Sequence, residues 1–291
     1  MRREALDGYL FIAPWLIGFV LFVAGPMLGA IVLAMLRWDF IGSPTWIGLA
    51  NFQRLFTSSL VRVTLWNTAF YTFLSVPLQL MVALGTALLL NQRLRFLAVF
   101  RTAFYLPSVM PAVANAVLWL WLLNPEIGLA NALLRLLGLP QLQWIYDPAL
   151  AKPTFILISL WGVGNTMIVF LAGLQGVPQS LYEVAELDGA NWWQRFRHVT
   201  LPMISPVILF NLIIGIIASF QVFTNAFLLT NGGPQNATLF TVLYIYRLGF
   251  EQSNIGMAAA LAWLLFLIIL VFSLIQLRLS RSWVYYEGGD A

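Results

Sequence analysis

Residues 176–202 read GVPQSLYEVAELDGANWWQRFRHVTLP, and this polar interval decides how the rest of the chain is read. Long apolar runs flank it on both sides. It carries three of the eleven acids (Glu183, Glu186, Asp188), two arginines (Arg195, Arg197) and the single histidine, His198. Pro178 stops a helix arriving from upstream, because proline lacks the N–H and its ring clashes with the preceding turn. Ser180 lies three residues before Glu183, the spacing of a capping box, in which each side chain accepts from the other's backbone N–H. This predicts a short helix over 181–188, and Gly189 suits the left-handed residue just past its end. Asn191 and Gln194 repeat the spacing and predict a second helix reaching about Thr200, with Pro202 at the next break. The interval therefore reads helix, glycine turn, helix. Small residues at Ala185, Gly189 and Ala190 let another surface come close. A plain connector between membrane spans is the competing reading, and it leaves two caps and a glycine stop at consistent spacing without a reason.

Working outward, the 291 residues are 61% hydrophobic and 9% charged, with a mean hydropathy of +0.86. Soluble domains carry about 25% charged residues, so this chain cannot cover a soluble surface and must face lipid. With no cysteine, disulfides and thiolate metal sites are excluded. The net charge of +4 is spread over the polar links. It forms no basic cluster for nucleic acid and reads instead as a topology signal.

Six apolar runs are each long enough for a bilayer core of about 30 Å, which needs about 20 helical residues. They cover about 9–36, 65–90, 102–123, 153–175, 203–229 and 255–277. The first is too long for the apolar core of a signal peptide, about 7–15 residues, and reads as a retained span. Pro14, Gly25-Pro26, Pro77, Pro107 and Pro111 predict kinks or breaks. An amphipathic piece at 129–137 suits the membrane interface. Six spans put both termini on one side, and Lys and Arg choose which. The N-terminus, the second and fourth links and the tail hold nine (Arg2, Arg3, Arg93, Arg95, Arg101, Arg195, Arg197, Arg278, Arg281). The opposite links hold six (Arg37, Arg54, Arg62, Arg135, Lys152, Arg247). Both termini and the 176–202 loop are expected to be cytoplasmic. The expected fold is an all-α membrane protein, one transmembrane domain over 1–291 with no separate soluble domain.

All eleven acids fall outside the six runs, the tail's Glu287 and Asp290 included. Carriers driven by protons or sodium usually keep ionisable groups inside the membrane to bind the driving ion. Their absence makes a self-sufficient ion-coupled secondary carrier the weaker alternative. A membrane-embedded enzyme lacks a thiol nucleophile, and His198 has no intramembrane partner. No GxxxxGK[ST] phosphate loop is present, so the chain is not expected to be an enzyme or to hydrolyse ATP. The polar groups within the runs are neutral: Asn115, Ser159, Asn165, Asn211, Ser219, Gln221 and Asn225. Gln221 and Asn225 are four apart, the spacing of one helix face, beside Phe220, Phe223 and Phe227. Amides beside aromatic faces suit a neutral, hydroxyl-rich ligand. Hydrogen bonds between helices would use the same amides, and the residues alone leave both uses open.

Three segments carry a resemblance. Glu183-Val184-Ala185, Asp188-Gly189-Ala190 and Leu201-Pro202 resemble the EAA loop of the permease subunits of binding-protein-dependent ABC importers, departing at Val184 where the motif has Ala. Ile47-Gly48-Leu49-Ala50-Asn51-Phe52 resembles the G-L-x-N-[FY] segment of the carbohydrate-type permeases. Leu229-Thr230-Asn231-Gly232-Gly233-Pro234 with Thr238, Tyr244, Tyr246, Phe250 and Gly256 resembles their T-x-G-G-P…T…Y…F…G pattern. The resemblance, to the maltose-type subfamily, covers nearly the whole chain. It implies one permease subunit of an ATP-driven importer of sugars or related polyols in a bacterial or archaeal cell (inner) membrane. Implied partners are a second homologous permease, two cytoplasmic ATPase subunits and an extracytoplasmic solute-binding protein, with ATP and Mg²⁺ held by the ATPases and no cofactor or metal here. Coupling to the ATPase falls on Tyr182, Glu183, Val184, Ala185, Asp188, Gly189, Ala190 and Pro202. Matching substrate positions are Trp161, Gly162 and Asn165 before the loop and Gly215, Ser219, Gln221 and Val222 after it. Asn225 joins them from the helix-face argument.

Overall fold

The computed structural model describes residues 2–39, 42–92 and 95–285, without the side chains of residues 2–8. Arg93, Glu287 and Asp290, used in the charge reading, lie outside the described residues. Helices dominate, as they must where lipid offers the backbone no hydrogen-bond partner. Among the described residues three helices are long and apolar enough to cross a bilayer unbroken: Tyr9–Ala34, Ser59–Leu90 and Ile255–Ser280. Three more helix pairs pass the same test together but are bent, as a broken span or a re-entrant loop would be. Leu97–Val109 meets Ala112–Leu122 at 99°, Pro148–Trp161 meets Gly164–Gln175 at 49°, and Trp192–Met203 meets Ser205–Phe220 at 65°. With each pair as one span the count is six.

Prolines do not all act as the sequence predicts. Pro107 and Pro111 do break their run, because Pro111 is extended (φ −55°, ψ 135°) and turns the chain. Pro77 lies inside an unbroken 32-residue helix, since neighbouring helices can re-satisfy the freed carbonyl. At Gly25-Pro26 a π-type turn, Val20–Ala24, takes up the strain, and the Gly25 N–H donates to the Val20 carbonyl five residues back. Link boundaries also move, and helix Ser59–Leu90 begins before the expected 65. Helix Pro148–Trp161 starts before the expected 153, because Asp147 caps it: its Oδ1 accepts from the Ala149 N–H at 2.7 Å. Lys152 is therefore helical rather than in a link. Its Nζ donates to Asn67 Oδ1 at 3.2 Å and sits 5.2 Å from the centre of the Phe70 ring. The expected link at 230–254 is folded, with helix Thr241–Tyr246 and fully buried Leu239, Phe240 and Leu243.

The chain divides into two compact units. The first holds Met1–Arg62 and Tyr244–Leu267. In it a short antiparallel ribbon pairs Leu36 with Trp46 and Arg37 with Thr45. Buried Asn51 donates from Nδ2 to the Ala34 and Leu36 carbonyls, at 2.9 Å each. A Cβ on Gly256 would run into the Leu36 carbonyl and the Asn51 amide. Two of the quoted sequence segments thus meet, and only glycine allows the approach.

The second unit holds Val63–Leu243 and Ile268–Ala291. Its packed cluster joins Ala83, Ala87 and Leu90 to Met167, Phe170, Leu174 and Ile204. Small residues bring membrane helices close, where dispersion rather than water exclusion holds them. Gly173 is one of them: a Cβ there would sit 2.9 Å from Val207 Cγ2. Leu174 and Ile204 bracket the 176–202 loop, so both of its ends leave from the same cluster.

Candidate functional site

The loop contains the helix, turn and helix that its sequence predicts, with one cap corrected. The first helix is Gln179–Leu187, and its N-cap is Pro178 with no side-chain cap bond. The Ser180 capping box is not formed. Pro178 is already extended (φ −58°, ψ 129°), which places Ser180 inside the first turn, too late to cap it. Glu183 Oε1 instead accepts from Gln179 Nε2 at 2.9 Å. The helix end does follow expectation. Gly189 is left-handed at φ 76°, its N–H donates to the Glu186 carbonyl at 3.0 Å, and the Ala190 N–H donates to the Ala185 carbonyl at 2.9 Å. That pair of bonds is a Schellman stop, which satisfies carbonyls the helix would leave orphaned. Asn191 and Gln194 form the second capping box in full.

The second helix starts at Trp192, widens into a π-type turn over Phe196–Thr200, and continues through Leu201–Met203. Pro202 lies inside it, and the break falls at Ile204. Two cross-links tie the loop helices together. The Arg195 guanidinium pairs with the Glu186 carboxylate. The Tyr182 and Thr200 hydroxyls are 3.0 Å apart, with Thr200 only 5% exposed. Between the helices lies a groove of about 400 Å³, lined by Leu181, Val184, Ala185, Asp188, His198, Pro202 and Tyr285. Val184 is 57% exposed, so its extra methyls relative to Ala crowd nothing. His198 is exposed, with Nδ1 3.0 Å from the Gln194 carbonyl.

A separate cleft of about 330 Å³ opens among the helices of the second unit. Of the positions expected to touch substrate, Gly162, Gly215, Ser219, Val222 and Asn225 line it. Trp161, Asn165 and Gln221 do not. Trp161 is 49% exposed and packs edge-on against Trp119, ring centres 6.1 Å apart. The shared helix face of Gln221 and Asn225 is not observed: the helix stops at Phe220, and Gln221 turns at φ −101°, ψ 16°. Its N–H tightens the last turn by donating to the Ala218 carbonyl at 3.2 Å. The aromatic and β-branched run that follows has low helix propensity and does not carry the helix on.

Sequence reasoning left Tyr71, Gln79 and Thr166 out of the cleft and gave Asn115, Ser159 and Asn211 no place in it. All six line it. Among the described residues no charged side chain does. The hydrogen bonds inside the protein set what the lining offers. Ser159 spends its O–H on the Ile156 carbonyl at 2.6 Å, and Ser219 on the Ile216 carbonyl at 3.0 Å. Asn211 Nδ2 donates to the Val207 carbonyl at 2.9 Å. Each hydroxyl has one proton to give, so these two serines present lone pairs. Asn115 Oδ1 is buried beneath the cleft surface and has no hydrogen-bond partner among the described residues. The lining is thus polar and uncharged, mixing serine lone pairs with the hydroxyls and amides of Tyr71, Gln79, Thr166 and Asn225, which suits a hydroxyl-rich ligand.

Comparison with known proteins gives one family and a consistent set of relatives. The profile described as binding-protein-dependent transport system inner membrane component matches residues 79–285. The probable ABC transporter permease protein YesP of Bacillus subtilis (strain 168) is 39% identical, over 100% of this chain and 95% of its own length. The arabinooligosaccharides transport system permease protein AraP of the same organism is 34% identical, over 94% of this chain and 88% of its own. Among solved structures, a chain of a bacterial alginate ABC transporter, in complex with an alginate pentasaccharide-bound periplasmic protein, superposes with a TM-score of 0.85. It is 28% identical and covers 97% of this chain and 96% of its own.

Proposed function

The chain belongs to the family of binding-protein-dependent transport system inner membrane components, and on that footing we propose that it forms half of the pore of an ATP-driven importer of sugars or related polyols. Its partners are a second, homologous permease, two cytoplasmic ATPase subunits and an external solute-binding protein. Both termini and the 176–202 loop face the cytoplasm. Helix Gln179–Leu187 meets the ATPase through Tyr182, Glu183, Val184, Ala185, Asp188, Gly189, Ala190 and Pro202. ATP and Mg²⁺ belong to that partner, and this chain catalyses no reaction. Substrate passes the cleft, where Gly162, Gly215, Ser219, Val222 and Asn225 are joined by Tyr71, Asn115 and Asn211. Trp161, Asn165 and Gln221 contribute from outside it. The observation that carries the sugar class is the uncharged, hydroxyl- and amide-rich lining, whose donors and acceptors a polyol's hydroxyls can match. The relatives named for oligosaccharides and alginate support the same class.

Reconstitution tests the reading. Proteoliposomes holding both permeases, the ATPases and the binding protein are expected to import a labelled neutral oligosaccharide only with ATP. Asn225→Leu removes one amide from the lining and is expected to raise the half-saturating concentration about 2–10-fold, the worth of one hydrogen bond. Concentrative uptake by this chain alone, under a proton or sodium gradient, would overturn the proposal.

A further inference from the structure

The 176–202 loop holds a feature that an EAA-type motif does not specify. Its two helices are joined covalently only through the turn at Asp188–Asn191, around left-handed Gly189. A turn of that kind is a hinge unless something braces it. Two braces are present. The Glu186–Arg195 pair lies beside the turn, and with Glu186 60% exposed it contributes little. The Tyr182–Thr200 bond lies farther from the turn, six residues before Asp188 on one side and nine after Asn191 on the other. Thr200 is buried, so water does not compete for it as it does for the ion pair.

The π-type turn places that hydroxyl. Over Phe196–Thr200 the hydrogen-bonded turn closes over one more residue than an α-turn, and the Leu201 N–H bonds back five residues to Phe196. Thr200 Oγ1 also reaches back five residues, lying 3.5 Å from the Arg195 carbonyl. Such turns re-aim side chains and recur at functional places. Here the effect is to present Thr200 to Tyr182. Four residues on, the chain bends at Ile204 into helix Ser205–Phe220, which carries Asn211, Gly215 and Ser219 to the cleft.

We infer that the Tyr182–Thr200 hydroxyl pair is the strut that makes the loop move as one body and passes displacement of helix Gln179–Leu187 to the helix lining the cleft. The inference rests on the proposed docking of the loop on an ATPase. Thr200 and Tyr182 are positioning residues in it, acting through the helices that they join. Without the bond, motion of the first helix is absorbed at the Gly189 turn. With it, the two helices form a braced wedge whose far corner is the start of the cleft helix.

The test uses the whole importer with the partner subunits made free of cysteine, as this chain already is. Asn225→Cys in the cleft is labelled with a membrane-impermeant thiol reagent, with and without ATP and vanadate to trap the ATPase. In the otherwise unsubstituted importer trapping is expected to change the labelling rate. Thr200→Val and Tyr182→Phe are each expected to shrink that change about 2–10-fold, the range for one lost hydrogen bond. The double variant should be no worse than the weaker single one, because both remove the same bond, and Thr200→Ser should restore it. An unaltered response in both single variants, or losses that sum in the double variant, would overturn the strut. Thermal midpoints of the variants check that they fold. A second arm cross-links Val184→Cys to the ATPase. If that link fails and trapping leaves labelling unchanged even with Thr200 and Tyr182 intact, the docking itself is wrong. A link that forms while the variants respond normally overturns the strut alone.

Discussion

Gly189 has room on every side, with no atom within 4 Å of where a Cβ would lie, yet its φ of 76° belongs to glycine. The cost of replacing it is therefore conformational, not steric. A left-handed L-residue costs roughly 1–2 kcal/mol, a shift of about 5–30-fold in the turn's equilibrium. Asparagine tolerates this region and β-branched residues do not. Gly189→Val is expected to lower ATP-driven uptake while the importer still assembles, and Gly189→Asn to retain most of it. Uptake per ATP hydrolysed in proteoliposomes measures both. This residue was legible in the sequence because helix stops are local. Asn115 was visible only as a polar residue in an apolar run. Its place beside the cleft depends on which way helix Ala112–Leu122 is rotated, and no neighbour in sequence decides that.

At the scale of elements, two glycines two residues apart make opposite demands. Nothing lies within 4 Å of a Cβ on Gly162, whereas one on Gly164 would sit 2.8 Å from the Phe104 carbonyl oxygen and 2.9 Å from Tyr105 Cα. Those are backbone atoms and cannot swing aside. Gly164→Leu is expected to force helix Gly164–Gln175 off the Leu97–Tyr105 helix and destabilise the protein by about 1–3 kcal/mol. Gly162→Ala should cost little. Thermal midpoints in detergent separate the two. The misplaced caps belong at this scale too. Ser180 satisfies the capping spacing, but Pro178 had already begun the helix, and Asp147 caps a helix whose start the apolar run placed later. Hydrophobic runs locate lipid-facing residues, whereas caps locate helix ends, and the two need not coincide.

At the scale of the whole molecule the side of each link is open to direct measurement. Because the natural chain has no cysteine, single thiols report cleanly. Ser43→Cys, near the first ribbon, is expected to react with an impermeant reagent in intact cells. Ser282→Cys, near the tail, is expected to react only after permeabilisation. The reverse pattern would invert the topology and remove the 176–202 loop from any cytoplasmic ATPase. By itself the sequence determined the membrane class, the six apolar runs, the helix–glycine–helix loop and the absence of acids within those runs. All of these follow from local composition, chain length against bilayer thickness, and caps a few residues apart. Only the tertiary structure decided where the spans break, which neutral residues share the cleft, that Asn51 and Gly256 meet, and that Tyr182 and Thr200 brace the loop. These depend on helix rotation, on a π-type turn with no sequence signal, and on approaches between residues far apart in the chain.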